Sequence, residues 1–232
     1  VYKRQDTQVA IIWCITAVAT LSVMSGLTKG IKFISQWCFV LGMFLMLSVL
    51  FMGDTAYVLN LITSTLGYYI WYLPKISFHT DAFEMLADGA EAPDGRGGGR
   101  YWMDGWTIFY WGWWISWAPF VGTFMARISR GRTLGEFILG TLIIPSLYSF
   151  LWLGIFGAEG IRMERAAQNL GLTCENAWSG EADKIVRLGC LSTEDILFEQ
   201  LASYGSQGFG DFLSIVALIA LIFYFVTSSD SG

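Results

Sequence analysis

Long apolar runs, separated by charged or glycine-containing segments, limit how this chain can fold more than any other feature. Several runs reach about 20 residues, the length that a helix needs to cross the hydrocarbon core of a bilayer. Only 14% of the residues are charged, whereas an ordinary soluble domain has about 25%. We therefore predict an all-α, multi-pass membrane protein with six spans, each ending at Gly, Pro or a charge cluster. The predicted spans are residues 9–27, 36–53, 56–74, 106–126, 135–157 and 211–229.

Two long polar segments, residues 78–105 and 158–210, separate these spans. One pair of spans connects them, so both segments are expected on the same face of the membrane. The loop 127–132 joins the two spans of that pair on the opposite side of the membrane. It contains three arginines, so the positive-inside rule places it in the cytoplasm. The polar segments are then outward loops of a bacterial-type plasma membrane protein. Lys29 and Lys32 fall on the outward face, against the rule, and we expect their side chains to snorkel from an interfacial segment.

The four cysteines divide between the apolar spans and the second polar segment. Cys14 and Cys38 lie in predicted spans, where small packing residues are the expected role. Cys174 and Cys190 share the second outward loop, and an exported loop permits a disulfide. The sequence leaves open whether these two are bridged.

Several classes of function lack support. The formal net charge is −5 and no basic patch occurs, so a nucleic-acid partner is not predicted. The only histidine, His79, is far from the cysteines along the chain and no CxxC spacing occurs, so neither a structural metal nor another cofactor is predicted. The spans also contain no paired carboxylates, no HExxH motif and no Ser–His constellation, so an enzyme is not predicted.

The segment Trp106–Phe120 carries eight aromatic side chains in fifteen residues. At about 100° per residue, seven of them fall within a sector of about 140°, and Trp111 points elsewhere. Such a face attracts a cation without N–H donors, typically by about 0.5 to 2 kcal/mol per contact. The alternative is an interfacial belt or simple packing against neighbouring helices. Gly112, Ser116 and Pro119 interrupt the helix, which favours a lined cavity for a quaternary ammonium group.

The last predicted span ends in the polar run Thr227–Gly232, which contains hydroxyls and one carboxylate. Hydroxyl and carbonyl oxygens are hard ligands that suit a small cation such as sodium, and transporters place such sites at broken helices. On spacing alone, the ordinary alternative is stronger. Ser and Thr hydroxyls often bond back to the helix carbonyls, or form a polar end that reaches the interface.

The run from Phe109 to Gly122 (FYWGWWISWAPFVG), continuing into Ala126–Thr133 and Glu136–Gly140, closely resembles the signature of the betaine/choline/carnitine transporter family. The resemblance implies a LeuT-type fold of inverted repeats, of which residues 1–232 would hold about six of twelve transmembrane helices, as part of a single transmembrane domain. It also implies import of a small cationic or zwitterionic solute such as glycine betaine, and it carries the expectation of a homotrimer in lipid.

The same resemblance assigns roles to particular residues. The aromatic residues that match the substrate pathway are Phe109, Trp113, Trp114 and Trp117. Thr227 and Ser228 match hydroxyls that bind sodium in the tenth helix. The aromatic residue often found three positions before that threonine is Tyr224 here, a small departure from the family pattern.

The sequence leaves the identity of the coupling ion partly open. Sodium-independent exchangers of this family carry an arginine in the fifth helix, and residues 9–27 contain no Lys or Arg, which favours sodium symport. A proton-coupled carrier would also lack that arginine, and a membrane sensor that binds the cation without moving it is a further alternative. The sequence does not choose among glycine betaine, choline and related solutes. Because the chain starts at Val1 without a signal peptide and stops straight after an apolar helix, we expect an internal segment of a longer protein.

Overall fold

A computed structural model of the chain describes residues 2–24, 30, 32–80, 103–177, 185–205 and 207–231. These residues are almost entirely helical, which confirms the all-α prediction. The α-helices of the described part are α1 (Tyr2–Met24), α2 (Lys32–Met52), α3 (Thr55–Ser77), α4 (Tyr110–Ile128), α5 (Leu134–Ile138), α6 (Ile144–Asn169), α7 (Ile196–Ala202) and α8 (Gln207–Ser231). Two π-helical segments, Met103–Phe109 and Leu139–Ile143, run directly into α4 and α6.

Three helical segments of the described chain are long and apolar enough to cross a membrane, by length and composition. They are Lys32–Met52, Leu134–Asn169 and Gly208–Ser228, and they overlap the predicted spans 36–53, 135–157 and 211–229. The other predicted spans, 9–27, 56–74 and 106–126, lie largely on α1, on α3, and on α4 with its π-helical start. That these three cross the membrane stays a prediction, as do the LeuT-type arrangement and the number of spans.

The helix that carries the predicted span 135–157 continues beyond residue 157 to Asn169. The segment 158–210 therefore begins with helical residues, and it contains the further helix α7. The extension has one covered side, where Ala158, Met163 and Ala167 are buried, and one open side, where Arg165 and Gln168 are exposed. Charges on one face do not end a helix whose opposite face is covered. Residues 81–102 and 178–184 of the predicted outward loops lie outside the described residues.

The chain divides into two compact units, residues 1–65 with 139–232, and residues 66–138. In the first unit α8 packs against α1, α2 and α7. The apolar core of this unit consists of Leu45, Met46, Val49, Val58, Ile155, Ala158, Leu201, Tyr204, Leu213, Val216, Ala217 and Ala220. The crossing of α7 and α8 depends on Gly210, because a Cβ there would lie 2.5 Å from the backbone oxygen of Ala202.

A smaller core covers the polar end of α6. Its buried residues are Met163, Val186 and Leu188. A disulfide between Cys174 and Cys190, whose Cα atoms are 5.2 Å apart, closes this region, and it resolves the pairing that the sequence left open. Arg187 supports it with an ion pair of 3.3 Å to Glu164 and a hydrogen bond of 2.7 Å to the Leu172 carbonyl.

The second unit contains the three-arginine loop, and α5 begins directly after it with a capping box. The Thr133 amide donates to Glu136 Oε2 at 2.8 Å, and the Glu136 amide donates back to Thr133 Oγ1 at 3.3 Å. These two bonds satisfy amide groups that the first turn of a helix leaves without intrahelical partners. The sequence Thr-Leu-Gly-Glu therefore fixes where the chain turns back into a helix.

Candidate functional site

The aromatic side chains of segment 106–120 form two rows along the helix. In the first row, ring centroids are separated by 5.9, 6.2 and 5.8 Å in the order Phe109, Trp113, Trp117 and Phe120. In the second row, the separations are 6.1 and 6.1 Å in the order Trp106, Tyr110 and Trp114. Most of these contacts join residues four apart, which are neighbours on a helix surface. The tilted and edge-on ring geometries are those that aromatic pairs prefer.

The two rows meet at a shallow cavity of about 230 Å³, lined by Tyr110, Trp113, Trp114 and Trp117. Three of the four predicted substrate contacts line this cavity, and the fourth, Phe109, does not. The remaining lining residue, Tyr110, belongs to the predicted aromatic face. Phe109 instead packs its ring on Trp113 at 5.9 Å. It is the last residue of the π-helical segment Met103–Phe109 and keeps the four-residue spacing to Trp113 that an α-helix gives. Its role in the solute site stays a prediction.

The tryptophan rings at this cavity are exposed. Trp113 is 50% exposed, Trp114 is 55% exposed and Trp117 is 41% exposed. A contiguous apolar patch of this kind marks a surface that binds a ligand, lipid or another part of a protein. The ring faces carry negative potential and offer no nucleophile, so the chemistry available to them is attraction of a cation. Trp111 is 65% exposed and lies outside both rows and the cavity lining.

A larger groove of about 690 Å³ includes Trp114 and Trp117 at one end and reaches the three-arginine loop. Its floor contains the small residues Ala118, Gly122 and Ala126 of α4, and its far wall includes Thr133 and Phe137. The sequence analysis did not predict this groove, which exists because the chain reverses between α4 and α5. The small residues at intervals of four were the available indication, since such spacing lets another surface approach a helix closely.

The predicted sodium ligands lie near the end of α8, in the other compact unit. Thr227 Oγ1 donates to the Tyr224 carbonyl at 3.0 Å, as hydroxyls in helices commonly do. The Cys38 thiol of α2 lies within hydrogen-bonding reach of the Thr227 side chain, so Thr227 faces α2. Ser228 is exposed. Among the described residues, no three His, Cys, Asp and Glu side chains come close enough to share a metal ion.

The most deeply buried charge in the described chain, Glu159, was not singled out by the sequence analysis. Its side chain is fully buried. Its Oε1 accepts the Asp54 amide at 2.9 Å, and its Oε2 pairs with Arg162 Nη2 at 2.8 Å. Burial raises the pKa of the neighbouring Tyr204 well above its ordinary value, and the Glu159 carboxylate adds to that increase. The available indication was the spacing of Glu159 and Arg162, three residues apart on one helix.

An all-α membrane protein with an aromatic, cation-attracting helix face is the class that these features define. The family model described as "BCCT, betaine/carnitine/choline family transporter" matches residues 1–232. The chain belongs to this family.

Three curated relatives show how far the similarity extends. The glycine betaine transporter OpuD of Bacillus subtilis is 37% identical, over 97% of this chain and 38% of its own length. The ectoine/glycine betaine/proline transporter EctP of Corynebacterium glutamicum is 38% identical, over 97% and 32%. The high-affinity choline transport protein of Escherichia coli is 36% identical, over 96% and 28%. These relatives are named as transporters and not as enzymes, and the chain spans about a third of their length.

Proposed function

We propose that this chain is the part of a secondary transporter that holds the aromatic half of the solute site, and that the transporter imports a quaternary-ammonium compatible solute together with sodium. The observation that carries the proposal is the cavity formed by Tyr110, Trp113, Trp114 and Trp117. Relatives named for glycine betaine, ectoine and choline transport support the choice of solute class. Localisation in a bacterial plasma membrane, outward orientation of the polar segments and trimeric assembly belong to the same proposal.

The energetics of the cavity fit a solute that binds weakly enough to be released. A cation over an indole face gains about 0.5 to 2 kcal/mol, so the three tryptophans together supply roughly 2 to 6 kcal/mol. A micromolar dissociation constant needs about 8 kcal/mol, so contacts outside the cavity must supply the rest. The cavity lining carries no charged side chain. The carboxylate of a zwitterion such as glycine betaine would therefore bind outside it.

The end of α8 is the proposed site of the coupling ion, with Thr227 and Ser228 as ligands. Their hydroxyl oxygens are hard donors of the type that small cations prefer. Absence of Lys and Arg from residues 9–27 supports sodium, since no side-chain cation of that predicted span could replace the ion. A sodium-independent or proton-coupled exchanger, and a sensor that binds without transport, are the alternatives that the experiment must separate.

The test is uptake of labelled glycine betaine and choline into proteoliposomes that contain the full-length protein, with an inward gradient of sodium or of potassium. We expect accumulation only with sodium. Accumulation that ignores sodium would exclude sodium symport, and a proton gradient then tests the proton-coupled alternative. Binding without accumulation under every gradient would identify a sensor.

The solute site is tested in the same assay by single substitutions. Trp114→Leu and Trp117→Leu should each raise the KM for the solute by about 2- to 30-fold, the equivalent of one cation–π contact. Trp111→Leu is the matched control, because Trp111 lies on the same helix but outside the cavity lining, and its KM should change by less than about twofold. Equal effects at all three positions would mean that the tryptophans serve packing.

A further inference from the structure

Two tyrosine hydroxyls meet beside a glycine where α2, α6 and α8 of the first compact unit approach one another. Tyr148 of α6 and Tyr224 of α8 both approach Gly42 of α2, where a Cβ would lie 2.9 Å from each hydroxyl oxygen. Tyr224 Oη donates to the Cys38 carbonyl at 3.3 Å. Tyr148 Oη is shielded from solvent and faces Tyr224 without a well-formed hydrogen bond in this conformation. Only a glycine at position 42 leaves room for both hydroxyls.

Polar groups at this position are costly, because α2, α6 and α8 belong to the three segments of the described chain that are long and apolar enough to cross a membrane. A hydroxyl removed from water must find a hydrogen-bond partner within the protein. Phenylalanine at either position would fill the same space without that requirement. The hydroxyl of Tyr224 is instead satisfied by a backbone carbonyl of another helix, and this bond fixes the position of α8 relative to α2.

The same residue of α2 also reaches the proposed ion site. Cys38 accepts the Tyr224 hydroxyl with its carbonyl, and its thiol lies within hydrogen-bonding reach of Thr227. Thr227 in turn donates to the Tyr224 carbonyl at 3.0 Å. The end of α8 is thus attached to α2 at two points, about one helical turn apart.

We propose that Tyr224 is a positioning residue for the coupling ion. Its hydroxyl holds the end of α8 at a fixed rotation against Cys38 and Gly42, and so places the oxygens of Thr227 and Ser228 for a cation. The inference rests on the sodium coupling proposed above. A small hard cation binds its oxygen ligands within a narrow range of distances, so a rotation of α8 weakens ion binding. The aromatic cavity is built from other residues, so solute binding at saturating sodium is left unchanged.

Two variants test the proposal independently in the full-length protein. Tyr224→Phe removes only the hydroxyl, and Gly42→Ala displaces both hydroxyls with a methyl group. The matched controls are Tyr68→Phe, whose side chain is 65% exposed on α3, and Gly157→Ala, where a Cβ would meet no atom within 4 Å. Two readouts are measured: the sodium concentration for half-maximal uptake into proteoliposomes, and the sodium-induced rise in melting temperature of the protein in detergent, which requires no transport.

Tyr224→Phe and Gly42→Ala should each raise the half-saturating sodium concentration by about three- to tenfold, the loss expected for one hydrogen bond. Both should reduce the sodium-induced rise in melting temperature, and the KM for the solute at saturating sodium should stay within about twofold. An unchanged sodium requirement in either variant that folds overturns the inference. So does an equal increase in the controls, or a parallel increase in the solute KM.

The wild-type protein tests the sodium coupling on which this inference rests. If wild-type uptake and melting temperature both ignore sodium, the sodium coupling is wrong, and the positioning role fails with it. If the wild type responds to sodium and the variants respond equally well, only the positioning role is wrong.

Discussion

Removal of Arg162 should destabilise the protein more than removal of the carboxylate to which it is paired. Glu159 is fully buried, whereas the Arg162 side chain is 40% exposed. Arg162→Met therefore leaves a buried anion whose remaining partners are the Asp54 amide and the Tyr204 side chain. Glu159→Gln removes the anion, keeps an oxygen that accepts this amide, and lets Arg162 turn towards water.

The magnitude follows from the cost of an unpaired buried charge. Loss of one partner of a buried ion pair typically costs about 3 to 5 kcal/mol, and the partial exposure of Arg162 places this case near the lower limit, about 3 kcal/mol. Glu159→Gln costs one charge-assisted hydrogen bond, about 1.5 kcal/mol. The double variant Glu159→Gln/Arg162→Met removes both charges, so it should be about 1.5 kcal/mol more stable than Arg162→Met alone.

The assay is the apparent melting temperature of the detergent-solubilised full-length protein. It is measured by size-exclusion chromatography of samples that have been heated to increasing temperatures. A change of 1 kcal/mol shifts the melting temperature by about 2 to 4 °C for 150 to 250 residues, and the shift falls in proportion to chain length. For a full-length protein about three times as long as this chain, as its relatives are, Arg162→Met should lower it by about 2 to 4 °C. Arg165→Met is the control, because Arg165 is exposed on the same helix. If the double variant is no more stable than Arg162→Met, the buried charge is not the source of the loss and this reasoning is wrong.

Two further predictions concern the same compact unit, one for helix packing and one for the disulfide. Gly210→Ala should reduce the free energy of unfolding by about 1 to 3 kcal/mol, because the added methyl group overpacks against the α7 backbone. Gly208→Ala is the control and should be neutral or stabilising, because a Cβ there meets no atom within 4 Å. Equal melting temperatures of the two variants would contradict the close approach at Gly210. Under denaturing, non-reducing conditions a maleimide should label neither Cys174 nor Cys190, and after reduction it should label both. Labelling of either before reduction, read by mass spectrometry of the peptides, would show that the disulfide is absent.

The positions of the long helices could be predicted because apolar runs determine them locally. The end of α6 could not be predicted in the same way. Its last turns contain Glu159, Arg162 and Glu164, which resemble the start of a polar loop when charge alone is counted. They remain helical because Met163 packs in the core with Val186 and Leu188, and this cover comes from residues about twenty positions further along the chain.

The aromatic face was predictable to the extent that an α-helix repeats every 3.6 residues. Trp113, Trp114 and Trp117 line the cavity as a consequence of that period alone. That Tyr110 lines this cavity while Phe109 packs on Trp113 depends on side-chain conformation, which the helical period does not determine. The contacts of Glu159 with Asp54 and of Tyr224 with Cys38 join residues 105 and 186 positions apart, and a single sequence gives no means to pair them.

These two long-range contacts meet α2 at different positions, one in its first half and one at the turn after its last residue, and this separation divides their roles. The Tyr224 hydroxyl meets α2 at Cys38 and Gly42, whereas Glu159 binds the turn that follows Met52. The apolar core residues of α2 lie between them. At 1.5 Å per residue, the turn is about 16 Å from Gly42, and sites at such a distance usually act independently. The Glu159 contact therefore holds the α2–α3 turn against α6, and the positioning role proposed for Tyr224 would not require that attachment to change.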